Sequence, residues 1–324
     1  MKKILFLVAA LMGFTFASAQ SVVDNYNQSV QALQAKDYAK AAELLEKVIA
    51  DGDGEEDEAI LDCVENAKKN LPAAYQGMGL RAAGAAMKLQ KPEEKDAKFA
   101  EALSLLSKAQ AKAKAYNQTR AAANAQAAAG KVYQAQGGGY YNSGNYAKAI
   151  EVFSKGYAAD PRNTEMALNL AESYFRSDMY QEGMKICTKI AGMNADKFAE
   201  AIAEAQAKMD MYTNNEVAKL QMANDYDGII AMAAELDDAA MAAKITMQAY
   251  YGKKDFNHMV EVATSALEAQ TTDEGRSDIY YLLGVAYNEK GQFDEAIAAM
   301  KNVTAGNNVA NAAAVIEALT AQQK

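Results

Sequence analysis

Tyr280-Tyr281-Leu282-Leu283-Gly284-Val285-Ala286-Tyr287, then Asn288-Glu289-Lys290-Gly291-Gln292-Phe293, then Asp294-Glu295-Ala296-Ile297-Ala298-Ala299-Met300, is the stretch on which the fold reading turns. Its frame of alternating large and small residues recurs upstream. Tyr133, Gly137, Tyr140, Ala149 and Phe153 match Tyr280, Gly284, Tyr287, Ala296 and Met300. A shift of 34 residues from Tyr133 gives Ala167, Ala171, Tyr174, Gly183 and Cys187. Ala243, Met247, Tyr250 and Ala263 form a weaker copy. At the other end, Asp37-Tyr38-Ala39-Lys40-Ala41 mirrors Asn145-Tyr146-Ala147-Lys148-Ala149. Self-similarity at such a period is the mark of a repeat architecture. Abundant alanine, only three prolines and no tryptophan point to helix throughout.

These units resemble the tetratricopeptide repeat family, over most of residues 22–305 and most closely at 130–190 and 276–304. The resemblance implies an all-α fold, an α-solenoid of stacked helix-turn-helix hairpins wound as a right-handed superhelix. In each hairpin the small residue of helix A lets helix B approach, and the tyrosine three residues on fills the space beneath. The small residue of helix B marks the tightest crossing, and a large residue four positions later closes the seam. Residues 193–236 depart from the pattern. Residues 55–70 read as an extra helix between repeats. A split copy opens at Tyr75-Gln76-Gly77-Met78-Gly79 and closes at Phe99-Ala100-Glu101-Ala102, its inter-helix segment longer by a turn or two around Lys91-Pro92. Pro72 reads as the first turn of a new helix. Gly137-Gly138-Gly139 reads as a kink; the competing frame, with Gly130 and Tyr133 as the small and large residues, loses the spacing to Ala149.

The expected organisation is a leader at 1–19, an N-terminal array at 20–192, a C-terminal array at 193–305 with a degenerate first part, and a capping helix at 306–324. Lys2 and Lys3 followed by apolar Ile4 to Phe16 and then Ala17-Ser18-Ala19 have the layout of a secretory signal peptide cleaved before Gln20. No cysteine follows that point and no later apolar run is long enough to span a bilayer. The expected location is therefore the periplasm or cell envelope of a bacterium, with no membrane insertion after cleavage. The net charge of -9 becomes -11 once Lys2 and Lys3 are removed, which argues against nucleic-acid binding. Cys63 and Cys187 read as small apolar core residues, not as a disulfide.

The chemistry inventory points away from an enzyme. His258 is the single histidine, so no histidine-rich metal site is available. The motifs of a nucleophile elbow and a phosphate loop are absent. The acidic run Asp51 to Glu58 lacks the spacing of a calcium loop and reads as a turn leading into a helix N-terminus. No catalytic residue, cofactor or metal is expected.

What remains is binding. The resemblance implies a concave wall built mainly by the A helices. One row on that wall carries Tyr141, Phe175, Tyr251 and Asn288; another carries Gln134, Leu168, Lys244 and Tyr281; Glu172 and Arg176 lie beside them. An aromatic row would suit an extended peptide or an apolar helix; the alternative is that the rings pack against neighbouring repeats. The family's lysine set for gripping a terminal carboxylate is missing. The expectation is an exported scaffold that holds a protein or peptide, in the assembly of an envelope complex. The alternatives are a solute- or glycan-binding envelope protein, or a structural spacer.

Overall fold

The computed structural model describes residues 20–323. The expected leader lies outside the described residues. Every regular element among those residues is a helix: α1 (20–34), α2 (Tyr38–Asp51), α3 (Glu58–Ala86), α4 (Pro92–Ala115), α5 (Thr119–Asn142), α6 (Tyr146–Ala159), α7 (Thr164–Phe175), α8 (Tyr180–Ala191), α9 (Ala195–Met222), α10 (Tyr226–Ala234), α11 (Ala239–Lys253), α12 (Phe256–Ala269), α13 (Asp273–Glu289), α14 (Phe293–Met300) and α15 (Val309–Gln322). The chain divides into two compact units after Lys208, within α9. In each unit the helices stack in sequence order. Odd-numbered helices also touch the next odd-numbered helix, as in α3–α5, α5–α7 and α11–α13.

One backbone device makes most of the hairpins. Gly144 adopts a left-handed φ of 75° and donates its N–H to Tyr141 O, while Asn145 N–H donates to Tyr140 O at 2.9 Å. That is a Schellman ending, which satisfies the last carbonyls of α5. Asn145 then caps α6, its side chain accepting from Lys148 N–H. A single residue thus closes one helix and opens the next. The same bonds recur at Lys36-Asp37, Asn224-Asp225, Lys254-Asp255 and Gly291-Gln292. Aspartate caps α2, α10 and α12 in the same way.

Packing follows the small-to-large pairing expected of the repeat. A Cβ built on Gly137 would sit 2.5 Å from the Phe153 ring, and one on Gly284 would sit 2.9 Å from Met300. Ala149 and Ala296 are wholly buried at the crossings. Gly79 meets Leu106 and Ala102 O in the split copy, so its seam is formed by α3 and α4. There Gly79 and Ala102 stand 23 positions apart, against 12 between Gly137 and Ala149. The insertion is thus eleven residues, about three helical turns, and longer than the sequence suggested.

Three sequence expectations need revision. Residues 55–70 are not a separate helix; from Glu58 onward they form the first half of α3, whose second half is helix A of the split copy. Pro72 lies inside α3, not at its start. Its missing N–H orphans the Lys68 carbonyl, and Gln118 Nε2 donates to that oxygen at 2.8 Å from the turn before α5. α5 runs unbroken through Gly137-Gly138-Gly139. The competing frame fails because a Cβ on Gly130 would meet only Asn163 Nδ2, at 3.5 Å.

Cys63 and Cys187 are both buried and unbonded. Burial pushes the Cys187 thiol up to about 12. In the second unit α15 lays Ala312, Val315 and Ile316 over Met300 and Val303, covering the end of the α13–α14 hairpin.

Candidate binding face

The residues singled out on the A helices are brought onto α5 and α7 in the first unit and α11 and α13 in the second. Side-chain rungs join successive A helices. Gln134 of α5 donates to Glu165 of α7. Tyr141 OH donates to Glu172 at 3.3 Å. In the second unit Lys244 of α11 pairs with Asp278 of α13, which also accepts from Asn308 Nδ2 at 2.8 Å. These bonds span nearly the repeat length, so within each unit side-chain rungs join successive A helices.

Glu172 is the hub of the first unit. Its side chain is only 16 % exposed, yet it accepts from Tyr141, from Arg176 Nε at 3.1 Å and from Lys208 Nζ at 2.8 Å. Neutralising partners of this kind are what allow a carboxylate to sit this deep. Lys208 lies in the degenerate stretch, where sequence reading found no repeat register to place it on the face. Only its spacing of 36 residues from Glu172, close to the repeat length, hinted at the pairing.

The aromatic row resolves ring by ring. Tyr141 is half-buried against Tyr146, centroids 5.3 Å apart. Phe175 is buried, lying on Tyr180 at 6.2 Å and against the backbone notch at Gly183. Tyr251 is 48 % exposed and rests on Phe256 at 6.3 Å. Each of these rings meets the first aromatic of helix B in its own hairpin, reached across the tight turn. Phe175 is therefore a packing residue, and so is Leu168, whose side chain is buried in the same layer. Tyr281 is half-buried over the Met300–Val303 cluster. Asn288 is half-buried near the end of α13, and Arg176 is exposed. Arg176 and Tyr251 are thus exposed, whereas Gln134, Tyr141 and Glu172 in one unit and Lys244, Tyr281 and Asn288 in the other are half-buried.

An open cleft of about 460 Å³ lies between α7 and the start of α9. It forms where α9 bends at Phe198, whose φ of -130° and ψ of 23° leave the helical range.

His258 pairs with Asp255 at 2.6 Å, stacks on Tyr250 and stands in the first turn of α12. Asp57 caps α3, its side chain accepting from Ala59 and Ile60 N–H. Among the described residues no three His, Cys, Asp or Glu side chains converge as metal ligands, and no helix is long and apolar enough to cross a membrane.

The architecture defines an all-α protein of stacked antiparallel hairpins. Residues 140–209 and 277–305 each match a sequence model of the tetratricopeptide repeat, so the hairpins in these two stretches are tetratricopeptide repeats. The chain is similar to RNA polymerase II-associated protein 3 of Xenopus laevis, 27% identical over 174 residues, which is 50% of this chain and 25% of the relative. The Rattus norvegicus protein of the same name is 24% identical over 173 residues, 51% of this chain and 26% of its own. The chain thus spans about a quarter of the length of the curated relatives it matches. Among solved structures, a tetratricopeptide repeat protein from Parabacteroides merdae aligns over 93% of this chain and 99% of its own, at 13% identity and a TM-score of 0.30. The TPR2AB domain of yeast Sti1, solved in a pHSP90 complex, aligns over 92% and 98% at 12% identity and a TM-score of 0.30.

Proposed function

We propose that this chain is an exported scaffold that holds a protein or peptide partner on the A-helix face, in the assembly of a cell-envelope complex. The observation that carries the reading is the ladder on that face. Its rungs fix Gln134, Tyr141, Glu172 and Lys244 in place before any partner arrives. Side chains already ordered lose less entropy on binding than mobile ones. The tetratricopeptide architecture is consistent with such a role, and the basic-then-apolar leader supports export. Catalysis is not part of the proposal.

The test is photo-crosslinking in cells from a probe at Tyr141 and, separately, at Tyr251, followed by mass spectrometry. The expected result is one dominant partner per site, lost when Glu172→Gln and Arg176→Ala are combined for the first unit. Crosslinks spread evenly over abundant proteins, unchanged by the substitutions, would refute the scaffold reading.

A further inference from the structure

The cleft between α7 and α9 says more about the partner. Its lining is mixed: the buried Leu168, the half-buried Phe198 and the alanines Ala199 and Ala201 supply an apolar part, and Thr164 with the charged rim supplies the rest. Its rim carries Glu165, Asp196, Glu200 and Glu204 against the single Lys197. Elsewhere on this face the carboxylates are matched: Glu172 has two cations. On the rim, Glu204 shares Lys208 with Glu172 at 3.7 Å, and no cation lies within salt-bridge distance of Asp196 or Glu200 among the described residues. The rim carboxylates do not converge as metal ligands. At about 460 Å³ the cleft is within the range of ligand pockets.

An apolar part under an excess of negative charge fits one kind of group: an aliphatic stem with a cationic head. Lysine and arginine side chains are built so, burying their methylenes while the charge stays at the rim. We propose that the α7–α9 cleft takes a lysine or arginine side chain from a basic segment of the partner, its stem along Leu168 and Phe198 and its head among Glu165, Glu200 and Glu204. This rests on the reading of the A-helix face as the binding surface and specifies the chemistry that surface selects. It also agrees with the absence of a lysine grip for a terminal carboxylate, since an anionic peptide end would meet like charge here.

The probe is a fluorescein-labelled peptide of alternating leucine and lysine, with a glutamate-for-lysine counterpart, followed by anisotropy on the full chain. Exposed ion pairs are individually weak, so Glu165→Gln, Glu200→Gln and Glu204→Gln together should weaken the lysine peptide by about tenfold. The same number of charges removed from the α2–α3 turn, as Asp53→Asn, Glu55→Gln and Glu56→Gln, should leave it unchanged. Circular dichroism confirms that both variants fold. Equal binding of the two peptides, or equal weakening by the two triple variants, overturns the proposal. If in-cell crosslinks at Tyr141 persist in the cleft variant with the same partner and yield, the scaffold reading stands and the cationic cleft falls. If those crosslinks are also unspecific in the unsubstituted chain, the scaffold reading falls with it.

Discussion

Gly137 and Gly138 are neighbours on one helix, and alanine should move their stabilities in opposite directions. In an exposed helix interior, glycine to alanine gains about 1 kcal/mol from the backbone alone. At Gly138 nothing lies within 4 Å of the added Cβ, so that gain should appear in full. At Gly137 the Cβ would fall 2.5, 2.7 and 2.8 Å from three carbons of the Phe153 ring. Those distances are about 1 Å inside normal contact, and Phe153 is 2% exposed, with no room to swing away. Overpacking of a closed core costs about 1–3 kcal/mol, and the upper part of that range applies to a ring that cannot move. The net for Gly137→Ala is then a loss of about 1–2 kcal/mol, and the two variants should differ by about 2–3 kcal/mol. Thermal melts by circular dichroism at low scan rate should show Gly138→Ala raised by about 2–4 °C and Gly137→Ala lowered by a similar amount or more. Adding Phe153→Leu should recover part of the loss in the Gly137→Ala background while costing stability on its own, a coupling read by a double-mutant cycle. A Gly137→Ala protein as stable as Gly138→Ala would refute the crossing of α5 and α6 at this residue and, with it, the repeat register.

Three further outcomes follow from the same reasoning. Gln118→Leu should cost about 1 kcal/mol by orphaning the Lys68 carbonyl; in a Pro72→Ala background, where an N–H returns to that oxygen, urea titration should show most of the cost gone. Lys254 holds a left-handed φ of 59° that glycine adopts freely, so Lys254→Gly should stabilise the second unit by about 1 kcal/mol, measured as a rise in its melting temperature. The Cys187 thiol, raised from 9.0 to about 12 by burial, stays neutral in the folded state where the unfolded chain would ionise. Its contribution to stability is full below pH 9 and is lost as the pH climbs towards 12; Cys187→Ala should flatten that alkaline decline, and native Cys187 should resist iodoacetamide at pH 8 until denaturant is added.

The fold was legible where side-chain size sets geometry. The small residues at Gly137, Ala149, Gly284 and Ala296 mark helix crossings because only a small residue fits there, and that requirement is written in the sequence. The α3 helix was misread because Pro72 usually starts or breaks a helix; its tolerance depends on Gln118, 46 residues away, which no local pattern announces. The left-handed turns at Lys36, Asp178 and Lys254 were equally hidden, although Gly144 and Gly291 occupy the same place in their own hairpins and supply the clue. The face was half legible. The register put Tyr141 and Glu172 on A helices of one unit and Lys244 on an A helix of the other, while the burial of Phe175 follows from Gly183, which lets the ring down onto the backbone of α8. The cleft was invisible, since it arises from a bend at Phe198 in the stretch that departs from the repeat.

The doubled turn residue bears on where this chain tolerates change. Because Asn145 and its counterparts terminate one rod and launch the next, an added residue there would lose both sets of bonds at once. The α3–α4 junction lacks the left-handed device: none of residues 87–91 has a positive φ, and Pro92 begins α4 without a side-chain cap. It is also the hairpin that carries eleven surplus residues. Among the turns that join the two helices of one repeat, this is the one without a left-handed residue, and most of the surplus lies in the longer helix ends on either side of it, which makes residues 87–91 the natural site for grafting a foreign loop.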